Sequence, residues 1–128
     1  MREETLTREE ILTNIAPTLC RNDVWLECEP GWDFILHDLF KQLEHLVQTS
    51  QCFHDCPEDE LPYVSEIKEK FGSLRVYLSS ETVQMSNLIC DAEKMTETIC
   101  EACGNPGTMR SRHRWLSVRC DACWLENQ

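Results

Sequence analysis

Two Cys-x-x-Cys pairs near the C-terminus constrain this chain of 128 residues more than any other feature. The first pair is Cys100 and Cys103, and the second pair, after an intervening sixteen residues, is Cys120 and Cys123. Four thiolates at this spacing suit the tetrahedral geometry of a structural zinc ion, Zn2+. A rubredoxin-like iron site is the alternative, although Trp124 stands where such sites usually have a glycine. Because four protein ligands leave no open position, we expect the metal to be structural rather than catalytic.

The cysteine count and the N-terminal residues indicate the cellular compartment. Nine cysteines are an odd number, and the charged N-terminus lacks the apolar run of a secretory signal. In a reducing compartment, paired Cys-x-x-Cys motifs indicate metal binding rather than disulfides. No stretch approaches the roughly 20 apolar residues that span a bilayer. We therefore expect a cytoplasmic protein without a membrane partner.

Charge is distributed unevenly along the chain, whose formal net charge is -11. Residues 1–63 hold four Lys or Arg against fourteen Asp or Glu, whereas residues 64–128 hold eight against nine. An acidic half repels nucleic acid phosphates and suits a basic protein partner. The same acidity also serves solubility alone, so it does not by itself establish a partner.

Two stretches of the N-terminal half predict helices. Thr7 and Glu10 have capping-box spacing, and the helix that follows should end at Ala16, before a proline. The strongest helix should begin in the stretch 29–33 and run to about Ser50, because its apolar residues recur at intervals of three and four. Those apolar positions are Trp32, Ile35, Leu36, Leu39, Phe40, Leu43, Leu46 and Val47.

Residues 62–79 predict a β-hairpin that is followed by a third helix. Apolar and polar residues alternate from Leu74 to Ser79, with a turn at Gly72-Ser73 and Phe71 in the core. Ser80 is the expected N-cap of a helix that continues to the first cysteine pair. Cys90 is expected to be a buried thiol inside that helix.

Together these elements predict an α+β fold in which helices pack on a small antiparallel β-hairpin or sheet, with a C-terminal four-cysteine zinc ribbon. Residues 1–99 would form an acidic body, and residues 100–128 a ribbon that packs against it as one unit. The loop 51–61 between helix and hairpin contains Cys52, His54 and Cys56. Their spacing is unlike a common zinc knuckle, so we interpret them as surface residues rather than a second metal site.

Four arginines lie in or beside the span between the cysteine pairs: Arg110, Arg112, Arg114 and Arg119. Beside the aromatic Trp115 they could contact phosphate, and a nucleic-acid-binding zinc-ribbon regulator is one hypothesis. They could also offset the negative charge of a four-thiolate metal site, or pair with the acidic half of the chain. His113 is expected to be a neighbour of the site rather than a ligand, since four cysteines fill it.

Nothing in the sequence predicts an active site. No Ser/His/Asp arrangement, glycine-rich phosphate loop or paired-carboxylate motif is recognisable, and the four histidines are scattered. Lys68, Lys70 and Arg75 lie near the hairpin turn, where alternating charges are typical of a solvent-facing strand surface. We therefore expect a protein that is not an enzyme.

Three segments resemble a family of small bacterial and phage proteins that has no established activity: Gly31-Trp32 at the start of a helix, IKEKFGSLRVY at 67–77 and ICEACGNPG at 99–107. The resemblance covers most of the chain after Gly31. By analogy it implies an immunity protein that neutralises a secreted toxin, or a phage-coded inhibitor of host defence. The partner would then be a basic toxin domain. The candidate partner-binding residues are Glu27, Glu29, Asp33, Asp55, Glu58, Asp59 and Glu60.

Overall fold

The computed structural model of the protein describes residues 5–126 and has the expected α+β architecture. The helices are α1 (Arg8–Ile15), α2 (Asp33–Thr49), α3 (Val83–Met95) and α4 (Asp121–Glu126). The strands are β1 (Leu26–Glu27), β2 (Val64–Lys70), β3 (Ser73–Leu78), β4 (Thr108–Arg112) and β5 (Trp115–Arg119). One sheet has the order β1-β2-β3, and β4 and β5 form a separate hairpin. Within residues 5–126, no helix combines the length and apolar character needed to cross a bilayer.

The first helix is fixed at its N-terminus by the predicted capping box. The hydroxyl of Thr7 accepts a hydrogen bond from the amide of Glu10, and the Glu10 carboxylate accepts one from the amide of Thr7. The Arg8 guanidinium then donates hydrogen bonds to the Asp33 carboxylate at the start of α2, with Nη2 2.7 Å from Oδ1 and Nε 3.0 Å from Oδ2. This two-pronged contact orients α1 against α2.

The second helix is the centre of the body. A short 3-10 turn, Pro30–Trp32, leads into it, and proline at the first position suits a helix start. Seven of its eight predicted apolar positions are buried, and Leu46 is half-buried. Burial of this apolar stripe places α2 against α1 and α3. The largest fully buried side chains of the protein include Trp32, Phe40, Leu12, Leu19, Leu36, Leu43, Ile67, Leu74 and Met85.

The β2–β3 hairpin has the predicted strands, but its turn and its phenylalanine differ from prediction. Lys70 pairs with Ser73, so the two loop residues are Phe71 and Gly72, both with positive φ, 53° and 83°. Positive φ at both positions is typical of the tight hairpin turn that matches strand twist. This geometry directs Phe71 outward, and its side chain is 71% exposed rather than in the core.

The two-residue strand β1 was not predicted. It pairs parallel with β2, with Leu26 opposite Ile67 and Glu27 opposite Lys68. Its short length gives no alternating pattern, and its partner lies about forty residues further along the chain. Pairing at this distance brings the acidic segment around β1 to the edge of the sheet.

The third helix begins later than predicted. Ser79 still belongs to the hairpin, because its amide donates to the carbonyl of Tyr63 and its hydroxyl accepts from the Tyr63 amide. The N-cap is therefore Thr82, whose hydroxyl accepts from the Met85 amide at 3.2 Å, and not Ser80. Cys90 is exposed, which corrects the expected burial. A 3-10 turn, Thr96–Thr98, connects α3 to the first cysteine pair.

Candidate metal centre

The four predicted cysteines come together at the C-terminal end of the fold. The sulfurs of Cys100, Cys103, Cys120 and Cys123 all lie within 4.8 Å of one another, and Sγ of Cys103 is 3.6 Å from Sγ of Cys120. This is the one group of possible metal ligands among residues 5–126. Cys52, His54 and Cys56, which lie within the described residues, form no such group.

Each cysteine pair lies on a tight turn of the backbone. In the first turn the amide of Gly104 donates to the carbonyl of Cys100 at 2.9 Å, and Gly104 has a φ of 84° that favours glycine. In the second, the amide of Cys123 donates to Sγ of Cys120 at 3.4 Å as α4 begins. The β4–β5 hairpin delivers the second turn to the first. The arrangement is therefore two knuckles and a short hairpin.

The thiols affect one another electrostatically. Burial disfavours the Cys100 thiolate, but the amides of Cys120, Cys103 and Ala102 outweigh this effect and lower the pKa of Cys100 to about 7. Hydrogen bonds with the thiols of Cys120 and Cys103 raise the pKa of Cys123. Because like charges this close repel, the four sulfurs can be ionised together only around a cation. The cluster thus has the geometry and the donor type of a metal site.

The first knuckle sits directly on the entry to α2. The amide of Gly31 donates to the carbonyl of Glu101 at 2.6 Å. A Cβ on Gly31 would lie only 2.5 Å from the carbonyl carbon of Glu101, and still closer to the carbonyl oxygens of Cys100 and Glu101. Only glycine permits this approach of two backbones. The indole of the fully buried Trp32 also donates from Nε1 to the carbonyl of Ile99 at 2.9 Å.

We name this contact, between residues 29–32 and residues 99–101, the seam. A buried polar cluster extends it. The Glu101 side chain, 6% exposed, accepts a hydrogen bond from the amide of Glu29 at 3.0 Å, and burial raises the pKa of Glu101. The Glu29 carboxylate forms an ion pair with Arg119 of β5. Nη1 of Arg119 is buried and has no hydrogen-bond partner in the described part of the chain. The seam therefore joins the body to both knuckles.

A second contact joins the two hairpins. A Cβ on Gly72, at the β2–β3 turn, would lie 2.5 Å from Sδ of Met109 on β4. The turn of the body hairpin thus packs on the inner face of the ribbon. Val118 of β5, on the same face, is fully buried.

The candidate acidic residues divide into two groups. Asp33 is held by Arg8, and Glu29 by Arg119. The carboxylates of Asp55, Glu58, Asp59 and Glu60 are exposed in the loop between α2 and β2, and Glu27 is exposed on β1. The four loop acids were the first patch expected to bind a partner and Glu27, Glu29 and Asp33 the next, but Glu29 and Asp33 have structural partners inside the protein.

The ribbon arginines are also largely engaged within the protein. Arg110 forms an ion pair with Asp121 at 2.6 Å, and the guanidinium of Arg112 lies 4.4 Å from the ring centre of Trp124. Arg119 forms its ion pair with Glu29 of the seam. Arg114 is exposed at the β4–β5 turn, as is His113. Among the roles expected for these arginines, the contact of Arg119 with Glu29 is a pairing with the acidic half of the chain.

Comparisons of the chain with protein-family models, curated proteins and solved structures found no match. The site therefore rests on the geometry of its own residues. Sequence reasoning missed Gly31 and Glu101 as parts of the site. The stretch Glu29-Pro30-Gly31-Trp32 carried a usable signal, since a glycine beside a buried tryptophan at a helix start indicates close approach of another chain segment.

Proposed function

We propose that Cys100, Cys103, Cys120 and Cys123 hold one structural Zn2+ ion. Four sulfur donors favour zinc over the harder cations, and four protein ligands leave no position for a substrate. The metal-bound site would hold the ribbon closed and present the first knuckle to the seam. Elemental analysis of the purified protein tests this proposal. Zinc at one ion per chain is expected, and stoichiometric iron or no bound metal would contradict it.

The function that we propose is that of a non-enzymatic protein-binding inhibitor with a basic partner, on the pattern of an immunity protein that covers a toxin domain. The observation that supports it is the loop between α2 and β2. Residues 42–67 contain six Asp or Glu and no Lys or Arg. Four of those acids, Asp55, Glu58, Asp59 and Glu60, are exposed in the loop.

The loop presents its carboxylates on a fixed backbone. Its two 3-10 turns, Gln51–Phe53 and Glu58–Glu60, close with hydrogen bonds such as that from the Glu60 amide to the Pro57 carbonyl at 2.9 Å. Phe53 packs against the body core. None of the ion pairs found among residues 5–126 includes the four loop acids. Their charge is therefore available for a partner, and it would speed association with a basic surface.

A matched pair of variants tests the loop. Glu58→Gln, Asp59→Asn and Glu60→Gln together remove three loop charges, while Asp91→Asn, Glu81→Gln and Glu97→Gln remove the same charges from exposed positions outside both proposed binding surfaces. The tagged proteins are crosslinked in cells that carry the gene, and the captured proteins are identified by mass spectrometry. We expect one basic partner that the control retains and the loop variant loses, with capture that weakens as salt rises.

Partner capture and a gel-shift assay together separate this function from nucleic-acid binding. If both variants capture the same proteins equally, the loop is not the binding surface. A gel-shift assay at physiological salt, with DNA and RNA, tests the nucleic-acid hypothesis. A shift that Arg114→Ala abolishes would favour the zinc-ribbon regulator over the inhibitor.

A further inference from the structure

We propose that Trp25 is an anchor for a basic peptide segment, whose Lys or Arg side chain lies on the indole between two acidic clefts. The proposal rests on the proposed function and assigns its partner a contact outside the loop. The Trp25 side chain is 71% exposed. Large exposed aromatic side chains of this kind are enriched among the residues that dominate binding energy in protein interfaces.

The exposure of Trp25 is imposed by the backbone around it. Val24 and Leu26 pack against the core on either side, so the extended chain directs Trp25 and Glu27 outward. The segment is fixed, because Leu26 pairs with Ile67 of β2 and its amide donates to the Glu9 carboxylate at 3.1 Å. The indole is therefore held out on a rigid frame and serves no contact of the core.

Clefts lie on both sides of the indole. The larger cleft has a volume of about 750 Å³ and is lined by Trp25 on one side and, on the other, by Leu6 before α1 and Thr13 on α1. The smaller, of about 60 Å³, separates Trp25 from Val64 and Ile67 of β2. A peptide crossing Trp25 would place one side chain in each cleft and one on the ring.

The charges around the clefts select the occupant. Glu9, Glu10 and Asp23 line the larger cleft, and Asp23, Glu27 and Glu66 line the smaller. Among the described residues, the one cation that lines either cleft is Arg21. Arg21 donates its hydrogen bonds to the carbonyls of Thr18, Leu61 and Pro62, so its charge is directed into the fold rather than toward the indole.

A cation fits these surroundings in two ways. It is attracted by the carboxylates, and a Lys or Arg within about 6 Å of an indole face gains a further cation–π interaction. Glu66 is paired with Lys68, but Asp23 and Glu27 belong to no ion pair among residues 5–126. A nucleic acid would be repelled here, and a second copy of this acidic chain would bring carboxylates against carboxylates.

The test uses a synthetic octapeptide of alternating arginine and leucine, and its analogue with neutral citrulline for arginine. The protein is labelled with fluorotryptophan, and the Trp25 resonance is assigned by its loss in Trp25→Phe. We expect that resonance to shift saturably with the arginine peptide and not with the citrulline analogue. Trp25→Ala should weaken peptide binding by about tenfold or more.

Trp115 provides the matched control, since it is a second tryptophan with 70% exposure. Trp115→Ala should change peptide affinity by less than about twofold. Equal losses from both variants, a Trp25 resonance that does not move, or equal binding of the citrulline peptide would each overturn the anchor. Partner capture separates the two proposals: loss in the triple loop variant but not in Trp25→Ala sinks the anchor alone, and retention in both sinks the inhibitor surface as well.

Discussion

The body and the ribbon of this protein are held together by different physical means. The apolar core cluster is built entirely from residues before position 93, centred on α2 and the inner face of the β1-β2-β3 sheet. Ribbon residues 100–125, by contrast, bury only Cys100, Glu101, Ser117 and Val118. A unit with so little apolar burial needs a metal or a docking surface to stay folded. Here the cysteine cluster can hold a metal, and the seam supplies a docking surface.

The largest effect is expected from removing a metal ligand. Cys100→Ser should release the metal and unfold the ribbon, because a structural zinc ion contributes roughly 10 kcal/mol in isolated zinc-binding peptides. The body should stay folded on its own core. Hydrogen exchange measures both regions at once: fast exchange is expected in β4 and β5, with protection retained in α2. Cys90→Ser, at an exposed thiol, is the control and should change neither region.

The next effect tests the apolar half of the comparison. Leu43→Ala, at a fully buried position, should lower the free energy of unfolding by about 2 to 5 kcal/mol. Leu125→Ala makes the same change at a ribbon position that is 64% exposed, and should cost less than about 0.5 kcal/mol. Urea denaturation gives both values. Similar costs at the two positions would show that burial does not distinguish body from ribbon.

A smaller effect is expected at the seam. Gly31→Ala should cost about 2 kcal/mol, because the added methyl group meets the backbone of the first knuckle and forces the two segments apart. It should also accelerate metal loss to a chelator, which a change inside the body alone would not do. Gln51→Ala, in the exposed 3-10 turn at the other end of α2, is the control. Equal metal release from both variants would contradict the seam.

The smallest effect concerns the cysteine thiol, whose pKa is shifted in opposite directions in the body and in the ribbon. Burial raises the pKa of the Cys20 thiol to about 12, whereas amide hydrogen bonds lower that of Cys100 to about 7 despite its burial. Above pH 9 the unfolded chain ionises at Cys20 while the folded protein does not. Stability should therefore fall as pH rises, by about 1.4 kcal/mol at about pH 10 from this thiol.

Cys20→Ala isolates that contribution. Its unfolding free energy, measured by urea denaturation between about pH 8 and about pH 10.5, should fall less steeply than that of the parent protein. Cys90→Ala, at an exposed thiol, should keep the slope of the parent. If the parent and Cys20→Ala lose stability in parallel, the Cys20 thiol is not protected from ionisation by the fold.

The features that could be predicted from the sequence are those that a short segment determines by itself. The capping box at Thr7, the apolar stripe of α2 and the cluster of four cysteines depend on spacing alone. Predictions were wrong where a residue far away in the sequence determines the local structure. The N-cap of α3 is Thr82 and not Ser80, because Ser79 remains paired with Tyr63 in the hairpin.

Exposure was the other source of error. Phe71 and Cys90 were predicted to be buried from residue type, but a positive-φ turn directs Phe71 outward and Cys90 lies on the exposed side of α3. The partner of Gly31 could not be predicted for a related reason. Its steric requirement comes from Cys100 and Glu101, and no pattern around residue 31 identifies that partner.

The seam also has a consequence for the order of events during synthesis. The hydrogen-bond acceptor for Trp32 is Ile99, 67 residues later, so a ribosome needs roughly 3 to 13 s to add it. By the end of that interval every buried member of the apolar core cluster has already been made. Until Ile99 and Glu101 have been added, the Gly31 amide and the Trp32 indole of the nascent chain lack the acceptors that they have in the folded protein. We therefore expect the seam to close only after the core residues have been made, and a metal held by all four cysteines to bind later still, once Cys123 has been added.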